Sequence, residues 1–340
     1  MPTPLRAHAA THIGLVHDRN EDGFTVTETD EGGTLLLVCD GMGGMGRGDE
    51  ASAVAVRTIV ERMSSVDGLP PERMRSALRR ADRAVRSALY DPQRRTQPGS
   101  TAAMTYIFDG AAHVAWVGDS RAYLIRDDTV VDRTRDHKLV EELIDAGQLT
   151  REEARHSALA HVVTRALGGR EPDDPPVVAA TLGYPWKLRN GDTIMICSDG
   201  LSDLVLDDEL PDMVAEGTPE DVVERLIATA LERGGHDNVT VIVAVWDGPD
   251  WIEEEHATPV IEGREFGAGT AYEDSQSGDR VTKEISLIEL LQRDNDPSDE
   301  VTQRMAALAS AEPVETQTWW VAAALLLVAA LMAIWIVLMR

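Results

Sequence analysis

Acidic residues recur at the ends of apolar, strand-like runs in this chain. Asp40 closes the run LLLVCD, Asp199 follows IMICS, and Asp237 stands just before NVTVIVAV. A further acidic pair, Glu21 and Asp22, lies in HDRNED. An isolated carboxylate at the end of a buried strand is costly, so each residue either caps a local turn or joins the others around a cation. The repetition of the pattern favours the cation.

The chemistry of these side chains limits which cation they could bind. All the candidate ligands are oxygen donors, and no spacing of the cysteines or histidines is typical of a zinc site. Oxygen donors favour hard cations, here Mg²⁺ or Mn²⁺. Several carboxylates can hold two such ions, which together acidify a water molecule and neutralise a phosphate group. The acidic residues therefore predict a metal site suited to phosphate chemistry.

The glycine-rich turn after Asp40 allows a second interpretation. Gly41, Gly43 and Gly46 match the dinucleotide-binding pattern GxGxxG, and Glu61 lies about twenty residues downstream of the preceding strand. However, Asp40 directly before the first glycine would repel a pyrophosphate. The downstream strands also look antiparallel, which does not suit a Rossmann unit. Dinucleotide binding remains an alternative at this point.

The elements that would position these residues follow from hydrophobic periodicity and turn signals. We predict strands at 11–16, 22–27, 34–39, 101–108, 112–118, 121–126, 129–133, 193–197 and 239–246. We predict helices at 50–64, 71–90, 137–146, 150–155, 159–167 and 219–233. The turns within 101–133 are short, which predicts antiparallel hairpins. Helices come in pairs rather than between all strands, which indicates an α+β layered domain rather than a doubly wound parallel sheet.

Charge excludes some functions and divides the chain. The net charge is −27, with 32 basic and 59 acidic residues, so a broad cationic surface for nucleic acid is excluded. Two cysteines cannot build a disulfide scaffold. Residues 249–318 carry 17 acidic and 5 basic side chains and are rich in Gly, Ser and Thr. We predict that this stretch is a mostly disordered linker.

The chain ends in an apolar segment. Residues 319–339 contain no charge, proline or glycine, and tryptophans lie near both ends. As a helix they would span about 30 Å, the thickness of a bilayer's hydrocarbon core. The N-terminal residues lack the apolar core of a signal peptide. We therefore expect a single C-terminal anchor in the cytoplasmic membrane, with the body of the protein in the cytoplasm.

Six motifs occur together in one order, namely HDRNED, VCDGMGG, GSTAAM, VGDSRAYLIRD, SDGLSD and GGHDNVTVIVA. This order resembles that of the metal-dependent protein phosphatases of the PP2C (PPM) type, and it is most similar to their bacterial serine/threonine phosphatases. The resemblance covers residues 8–247. It implies an αββα sandwich of two antiparallel sheets flanked by helices. It also implies hydrolysis of phosphoserine and phosphothreonine by a metal-activated water.

The resemblance also implies ligands for the two ions. Asp40 matches the carboxylate that bridges the ions, and Gly41 matches a ligand that binds through its backbone carbonyl. Asp199 and Asp237 match the other direct ligands of the first ion. Glu21 and Asp22 match carboxylates that hold metal-bound waters.

Three further parts of the chain match the family pattern. Asp119, in GDSR, matches a ligand of a third, weaker metal ion seen in bacterial members. Asn238 matches a motif position that supports the site. Residues 136–170 match a variable flap segment beside the cleft.

Two positions depart from the family pattern. Many members carry an arginine that grips the substrate phosphate where this chain has His17. Arg19 lies two residues further on, on the same side of an extended segment, and we expect it to make the contact, with Arg47 as the fallback. Eukaryotic members have a histidine, a candidate general acid, where this chain has Met42. The general acid is left unassigned.

These observations predict a membrane-anchored serine/threonine phosphatase that opposes bacterial Ser/Thr kinases. The residues expected to carry catalysis are Asp40, Asp199, Asp237 and Arg19. Its expected cofactors are two Mn²⁺ or Mg²⁺ ions, with a third ion possible. Its expected partners are phosphorylated proteins, including kinases and their substrates, and the membrane. Besides dinucleotide binding, two alternatives stay open: a catalytically inactive phosphatase fold that acts as a binding module at the membrane, and a phosphatase specific for a phosphorylated regulator of the anti-sigma-antagonist type.

Overall fold

The computed structural model describes residues 4–43, 46–93, 96–172 and 174–251. The strands are β1 (Leu5–His12), β2 (Asp22–Glu28), β3 (Thr34–Met42), β4 (Gly99–Ser100), β5 (Ala102–Phe108), β6 (Ala111–Val117), β7 (Arg121–Arg126), β8 (Thr129–Arg133), β9 (Leu167–Gly168), β10 (Ala180–Thr181), β11 (Trp186–Lys187), β12 (Thr193–Cys197) and β13 (Val239–Trp246). The helices are α1 (Gly48–Met63), α2 (Pro70–Leu89), α3 (Leu139–Asp145), α4 (Arg151–Arg155), α5 (Asp199–Ser202), α6 (Leu210–Val214) and α7 (Pro219–Glu232).

The strands form two antiparallel sheets. One sheet has the order β1-β13-β12-β7-β8, and the other has the order β10-β6-β5-β3-β4-β9, with β2 paired to β3 and β11 paired to β6. All the strand pairs within the described residues are antiparallel. A dinucleotide-binding unit needs parallel strands joined by a helix, so the dinucleotide interpretation of the glycine-rich turn is wrong.

The layers follow from the alternation of side chains along each central strand. Successive residues of a strand face opposite sides of its sheet. In β3, Leu36 and Val38 pack against the second sheet, while Leu35 and Leu37 pack against α1 and α2. The strand is apolar on both faces because both faces are covered. The inter-sheet core includes Ala103, Trp116, Leu124, Ile194, Ile196, Ile242 and Ala244.

Helices cover the outer face of each sheet. Helices α1 and α2 pack on the sheet that contains β3. Helix α7 packs on the other sheet, where Val222 and Leu226 meet Met195 and Val241. A capping box in which Thr218 and Asp221 exchange hydrogen bonds fixes the start of α7. The result is the predicted α+β sandwich, with two antiparallel sheets between layers of helices.

Two predicted elements are corrected by the structure. The first strand is Leu5–His12 rather than 11–16. The chain turns at Gly14, where φ is +79° and an added Cβ would lie 2.2 Å from the Asp237 carbonyl oxygen, so the strand cannot continue through it. Residues 13–21 are therefore a loop between the sheets rather than part of a strand.

The predicted helix 159–167 is also wrong. The segment begins with turns, in which the Val162 N–H donates to the Leu159 carbonyl, and its backbone then pairs with distant residues. The Leu139 N–H donates to the Val162 carbonyl, and the Thr164 N–H donates to the His137 carbonyl. At its end, β9 pairs with β4. Long-range pairing has overridden local helix propensity here.

The other predictions about the C-terminal part lie mostly beyond the described residues. The last described residue, Trp251, donates its backbone N–H to the Leu188 carbonyl. In the described part of the chain, no helix is both long and apolar enough to cross a membrane. The predicted transmembrane helix, 319–339, and nearly all of the predicted linker, 249–318, lie outside it.

Candidate active site

Two of the predicted ligands face each other across one pair of strands. Asp22 begins β2 and lies directly opposite Asp40 near the end of β3. Asp40 is tied down on the other side, because its backbone N–H donates to Thr101 Oγ1 and its carbonyl accepts from Thr101 N–H. Strand pairing thus brings together two carboxylates that are separated by a hairpin in the sequence.

The other two direct ligands come from the second sheet. Asp199 begins α5 two residues after β12 ends, and Asp237 lies two residues before β13. Strands β12 and β13 are neighbours, and the Ser198 backbone N–H donates to the Thr240 carbonyl. The pairing therefore places Asp199 and Asp237 at the same end of this sheet.

Asp22 connects the two sheets. Its Oδ2 accepts hydrogen bonds from Ser198 Oγ at 2.9 Å and from Thr240 Oγ1 at 2.6 Å. Neither hydroxyl group was predicted from the sequence. Ser198 stands beside Asp199 in SDGLSD, whereas Thr240, in GGHDNVTVIVA, looks like an ordinary β-branched strand residue. No local signal shows that it faces an acid from another sheet.

The site concentrates negative charge. Burial, followed by the charges of Asp22, Asp199, Asp119 and Asp237, holds the pKa of Asp40 well above its usual range. Burial and the neighbouring carboxylates likewise raise the pKa of Asp199. Burial also raises the pKa of Asp22 to about 6, although its two hydroxyl donors act in the opposite direction. The carboxylates lie close enough to raise one another's pKa values, and a bound cation would lower them again.

The donor atoms fit a hard divalent cation. Asp22 Oδ1 and Asp199 Oδ1 are buried and accept no hydrogen bond within the described part of the chain. Among the residues that the structure describes, no three Asp, Glu, His or Cys side chains stand close enough to form a preassembled metal site. The carboxylates surround one region without closing into a ligand cage. Their all-oxygen chemistry and unpaired buried oxygens nevertheless suit Mg²⁺ or Mn²⁺.

Glu21 is held beside the start of α1. Its carboxylate accepts from the Gly48 backbone N–H, and this contact partly offsets the rise in the pKa of Glu21 caused by burial. The Gly41 N–H donates to the Glu21 carbonyl at 3.1 Å. A Cβ on Gly48 would lie 2.3 Å from Glu21 Oε2 and 2.5 Å from the Gly41 carbonyl oxygen. Only glycine allows these three segments to approach so closely.

Asn238 organises the loop that carries Glu21 and Arg19. Its Oδ1 accepts from the Glu21 backbone N–H at 2.7 Å. Its Nδ2 donates to the carbonyls of Ile13 and Arg19 at 2.8 and 3.0 Å. The side chain is buried and uses both ends of its amide, so its role is to position the 13–21 loop against the second sheet.

The three candidates for the phosphate contact differ in what already binds them. Arg19 is 65% exposed at its side chain and donates to the Gly46 carbonyl at 3.2 Å. Arg47 donates to both oxygens of Glu50 at 2.8 and 2.7 Å. His17 Nε2 lies 3.5 Å from Asp237 Oδ1. Arg19 therefore offers the more accessible guanidinium at the edge of the acidic cluster.

Asp119 is buried and forms an ion pair with a lysine. Lys138 Nζ is 3.0 Å from Asp119 Oδ2 and 3.2 Å from Asp203 Oδ1. The sequence analysis missed both Lys138 and Asp203, although Asp203 closes the SDGLSD motif and Lys138 lies in the segment identified as the flap. A lone lysine in a helical segment gives no sign that it reaches a carboxylate on another element.

His137 and the two cysteines have structural roles. His137 Nδ1 accepts from the Gly118 N–H and its ring stacks on Trp116, while burial lowers its pKa to about 4. Cys39 and Cys197 are buried, and burial raises the pKa of both thiols. These properties do not suit a proton donor or a reactive thiolate at neutral pH.

Comparison with known proteins agrees with this geometry. The family model described as protein phosphatase 2C matches residues 11–239. The serine/threonine phosphatase stp of Listeria welshimeri is 30% identical over 245 residues, covering 70% of this chain and 95% of that protein. The serine/threonine protein phosphatase PstP of Mycobacterium tuberculosis is 33% identical over 241 residues, covering 71% of this chain and 45% of PstP. The solved catalytic domain of PstP in complex with two manganese ions matches with a TM-score of 0.59 at 29% identity, covering 71% of this chain and 97% of that one.

Proposed function

The chain belongs to the protein phosphatase 2C family as a serine/threonine protein phosphatase of the bacterial type, and from this we propose that it works through a centre of two Mn²⁺ or Mg²⁺ ions. One observation carries the proposal: acidic residues from both sheets meet at one place with raised pKa values and unpaired buried oxygens. The manganese complex of a similar catalytic domain supports it.

The residues divide the work according to where they stand. Asp40, Asp199, Asp237 and the Gly41 carbonyl would hold the ions directly, and Glu21 and Asp22 would hold them through water. When bound, two divalent ions lower the pKa of a water molecule and offset the charge of a phosphate group. Asp22 keeps its orientation because Ser198 and Thr240 donate to one of its oxygens and leave the other available.

Arg19 would orient the substrate. Its guanidinium lies at the exposed edge of the carboxylates, and a guanidinium can bind two phosphate oxygens at once. Asn238 holds the backbone of Arg19 in place. Holding the phosphate in one orientation contributes to the rate, because the entropy cost of aligning the substrate is then met on binding rather than in the reaction step.

The test of this function is hydrolysis of a phosphothreonine peptide by the full chain with Mn²⁺ and after chelation. We expect turnover with Mn²⁺, loss on chelation, and loss in Asp199→Asn with the circular dichroism spectrum unchanged. Asp208→Asn is the matched control, since Asp208 is exposed and a few residues away. An active Asp199→Asn chain would contradict the two-ion centre.

We further propose that residues 319–339 anchor the protein in the cytoplasmic membrane, where its substrates would be Ser/Thr kinases and their phosphorylated targets. The support is the uncharged length of this segment and its terminal tryptophans. The full chain should remain in the membrane fraction after an alkaline carbonate wash, and a chain ending at residue 318 should not. Equal solubility of the two chains would contradict the anchor.

A further inference from the structure

Lys138 lies where the sequence analysis expected a third metal ion. Its ammonium nitrogen is 3.0 Å from Asp119 Oδ2 and donates to Asp203 Oδ1 at 3.2 Å. The lysine side chain is 6% exposed and that of Asp119 is 2% exposed. This is a buried ion pair rather than a surface contact, so neither charge can turn away into solvent.

The backbone around Lys138 fixes its position. The preceding residue, His137, donates its N–H to the Gly118 carbonyl, next to Asp119. Lys138 itself forms a β-bridge with Val163. Backbone contacts at His137 and at Lys138 therefore fix the segment from which the lysine side chain extends to Asp119.

The contacts of Lys138 are those of a buried ion pair. Its ammonium nitrogen stands between two carboxylate oxygens, Asp119 Oδ2 at 3.0 Å and Asp203 Oδ1 at 3.2 Å. A buried lysine without such partners would be costly, and two carboxylates with no cation between them would repel each other.

A divalent ion and this ammonium group compete for the same place. A cation bound to Asp119 must lie within about 2.0–2.6 Å of a carboxylate oxygen. Asp119 Oδ2, which accepts no directed hydrogen bond within the described residues, is the oxygen that Lys138 Nζ faces. Two positive charges against one buried oxygen would repel each other strongly.

We propose that the ammonium group of Lys138 takes the place of a third divalent ion at Asp119. The protein would then bind two metal ions in total rather than three. The inference rests on the proposed two-ion centre and adds that the chain itself supplies the third positive charge. The same ion pairs attach the flap segment, which bears Lys138, to Asp119 and Asp203.

The experiment counts Mn²⁺ per full-length chain by equilibrium dialysis and elemental analysis. We expect two ions for the unmodified chain and for Lys138→Arg, which keeps the charge. We expect a gain of one ion for Lys138→Ser, which removes the charge and opens space. The double variant Lys138→Ser with Asp119→Asn should return to two.

A second comparison does not depend on whether Lys138→Ser folds. Asp119→Asn in the otherwise unmodified chain should leave the count at two, because Asp119 holds no ion there. An unmodified chain that binds three ions, one of them lost in Asp119→Asn, would overturn the inference while leaving the proposed function intact. A folded Lys138→Ser chain that still binds two would also overturn it. A chain that binds no Mn²⁺ would instead overturn the proposed function, and this inference with it.

Discussion

At the scale of single residues, the carboxylate of Asp22 is fixed in orientation although no basic side chain pairs with it among the described residues. Two hydroxyl groups from the second sheet orient one of its oxygens, and the other oxygen stays buried without a hydrogen-bond partner in the described residues. Leaving a buried carboxylate oxygen unpaired costs free energy. Such a cost is typical of a functional site, where a ligand supplies the missing interaction.

The first prediction concerns Arg19. Arg19→Ala should raise KM for a phosphothreonine peptide by about tenfold or more, since a hydrogen bond to a charged group contributes about 1.5–3 kcal/mol. Arg47→Ala is the matched control and should change KM by less than about threefold, because the Arg47 guanidinium already binds both oxygens of Glu50 and an exposed ionic contact is worth less than about 1 kcal/mol. Steady-state kinetics with saturating Mn²⁺ measures both. The opposite ranking would assign the phosphate contact to Arg47.

At the scale of elements, the site depends on how closely β3, the 13–21 loop and the start of α1 approach one another. One backbone group and one side-chain group make the contact: the Gly41 carbonyl and the Glu21 carboxylate both pack against Gly48. Helix α1 has no side-chain cap at Arg47. The Gly48 N–H, one of the free donors at a helix start, binds Glu21 instead.

The second prediction follows from that packing. Gly48→Ala should reduce the free energy of unfolding by about 1–3 kcal/mol and weaken Mn²⁺ binding, although alanine is the better helix former. The reason is that the Gly41 carbonyl belongs to β3 and cannot move away without distorting the strand. Urea unfolding and a Mn²⁺ titration measure the two effects.

Gly183→Ala is the control for this substitution. Among the described residues, nothing lies within 4 Å of a Cβ added at Gly183, so the free energy of unfolding of this variant should stay within about 0.5 kcal/mol of that of the unmodified chain. If Gly48→Ala behaved like Gly183→Ala, the close approach of the three segments would not be what holds Glu21.

At the scale of the whole molecule, a shared apolar core holds the two sheets together, while the carboxylates at their ends repel each other. The inter-sheet core brings Asp22 and Asp40 against Asp199 and Asp237. Packing of the core therefore opposes electrostatics at the site, and the balance between them must depend on pH and on bound cations.

The third prediction is the sign of that dependence. The pKa of Asp22 is about 6 in the folded chain against an ordinary 3.8, so the folded state binds this proton more tightly than the unfolded state. The stabilisation is complete below the unfolded pKa and is lost as pH rises through about 6. With a chelator present, the contribution of Asp22 to stability should fall by at most about 3 kcal/mol, mostly between about pH 4 and pH 7. Saturating Mn²⁺ should abolish the fall, because bound cations favour the ionised carboxylates.

The comparison with Asp22→Asn isolates this effect. His137, whose pKa is lowered to about 4 by burial, destabilises the fold as pH falls, and it contributes equally to both chains. The difference in melting temperature between Asp22→Asn and the unmodified chain, both chelated, should therefore grow from about pH 4 to about pH 7. A constant difference would show that Asp22 ionises normally in the folded protein.

The sequence by itself determined the chemistry and the class of fold. Alternation of apolar residues, short turns and acidic residues at strand ends are local patterns, and they were enough to predict an α+β layered domain with antiparallel hairpins and a cation site at the strand ends. The two-sheet sandwich and the role of each ligand were predicted from the resemblance of the six ordered motifs to the PP2C family. The first strand and the helix at 159–167 were predicted wrongly, because in both places the backbone pairs with segments far away in the chain.

Only the tertiary structure decided which groups surround each carboxylate. Thr240 donates to Asp22 across the sheets, Asn238 holds the loop of Glu21, and Lys138 reaches Asp119 from the flap segment. None of these pairs has a sequence spacing that predicts contact, since each joins residues on elements that meet only after the sheets have packed. The residue types fix what the site can bind, whereas the packing of the two sheets fixes how much charge is left for a metal ion to neutralise.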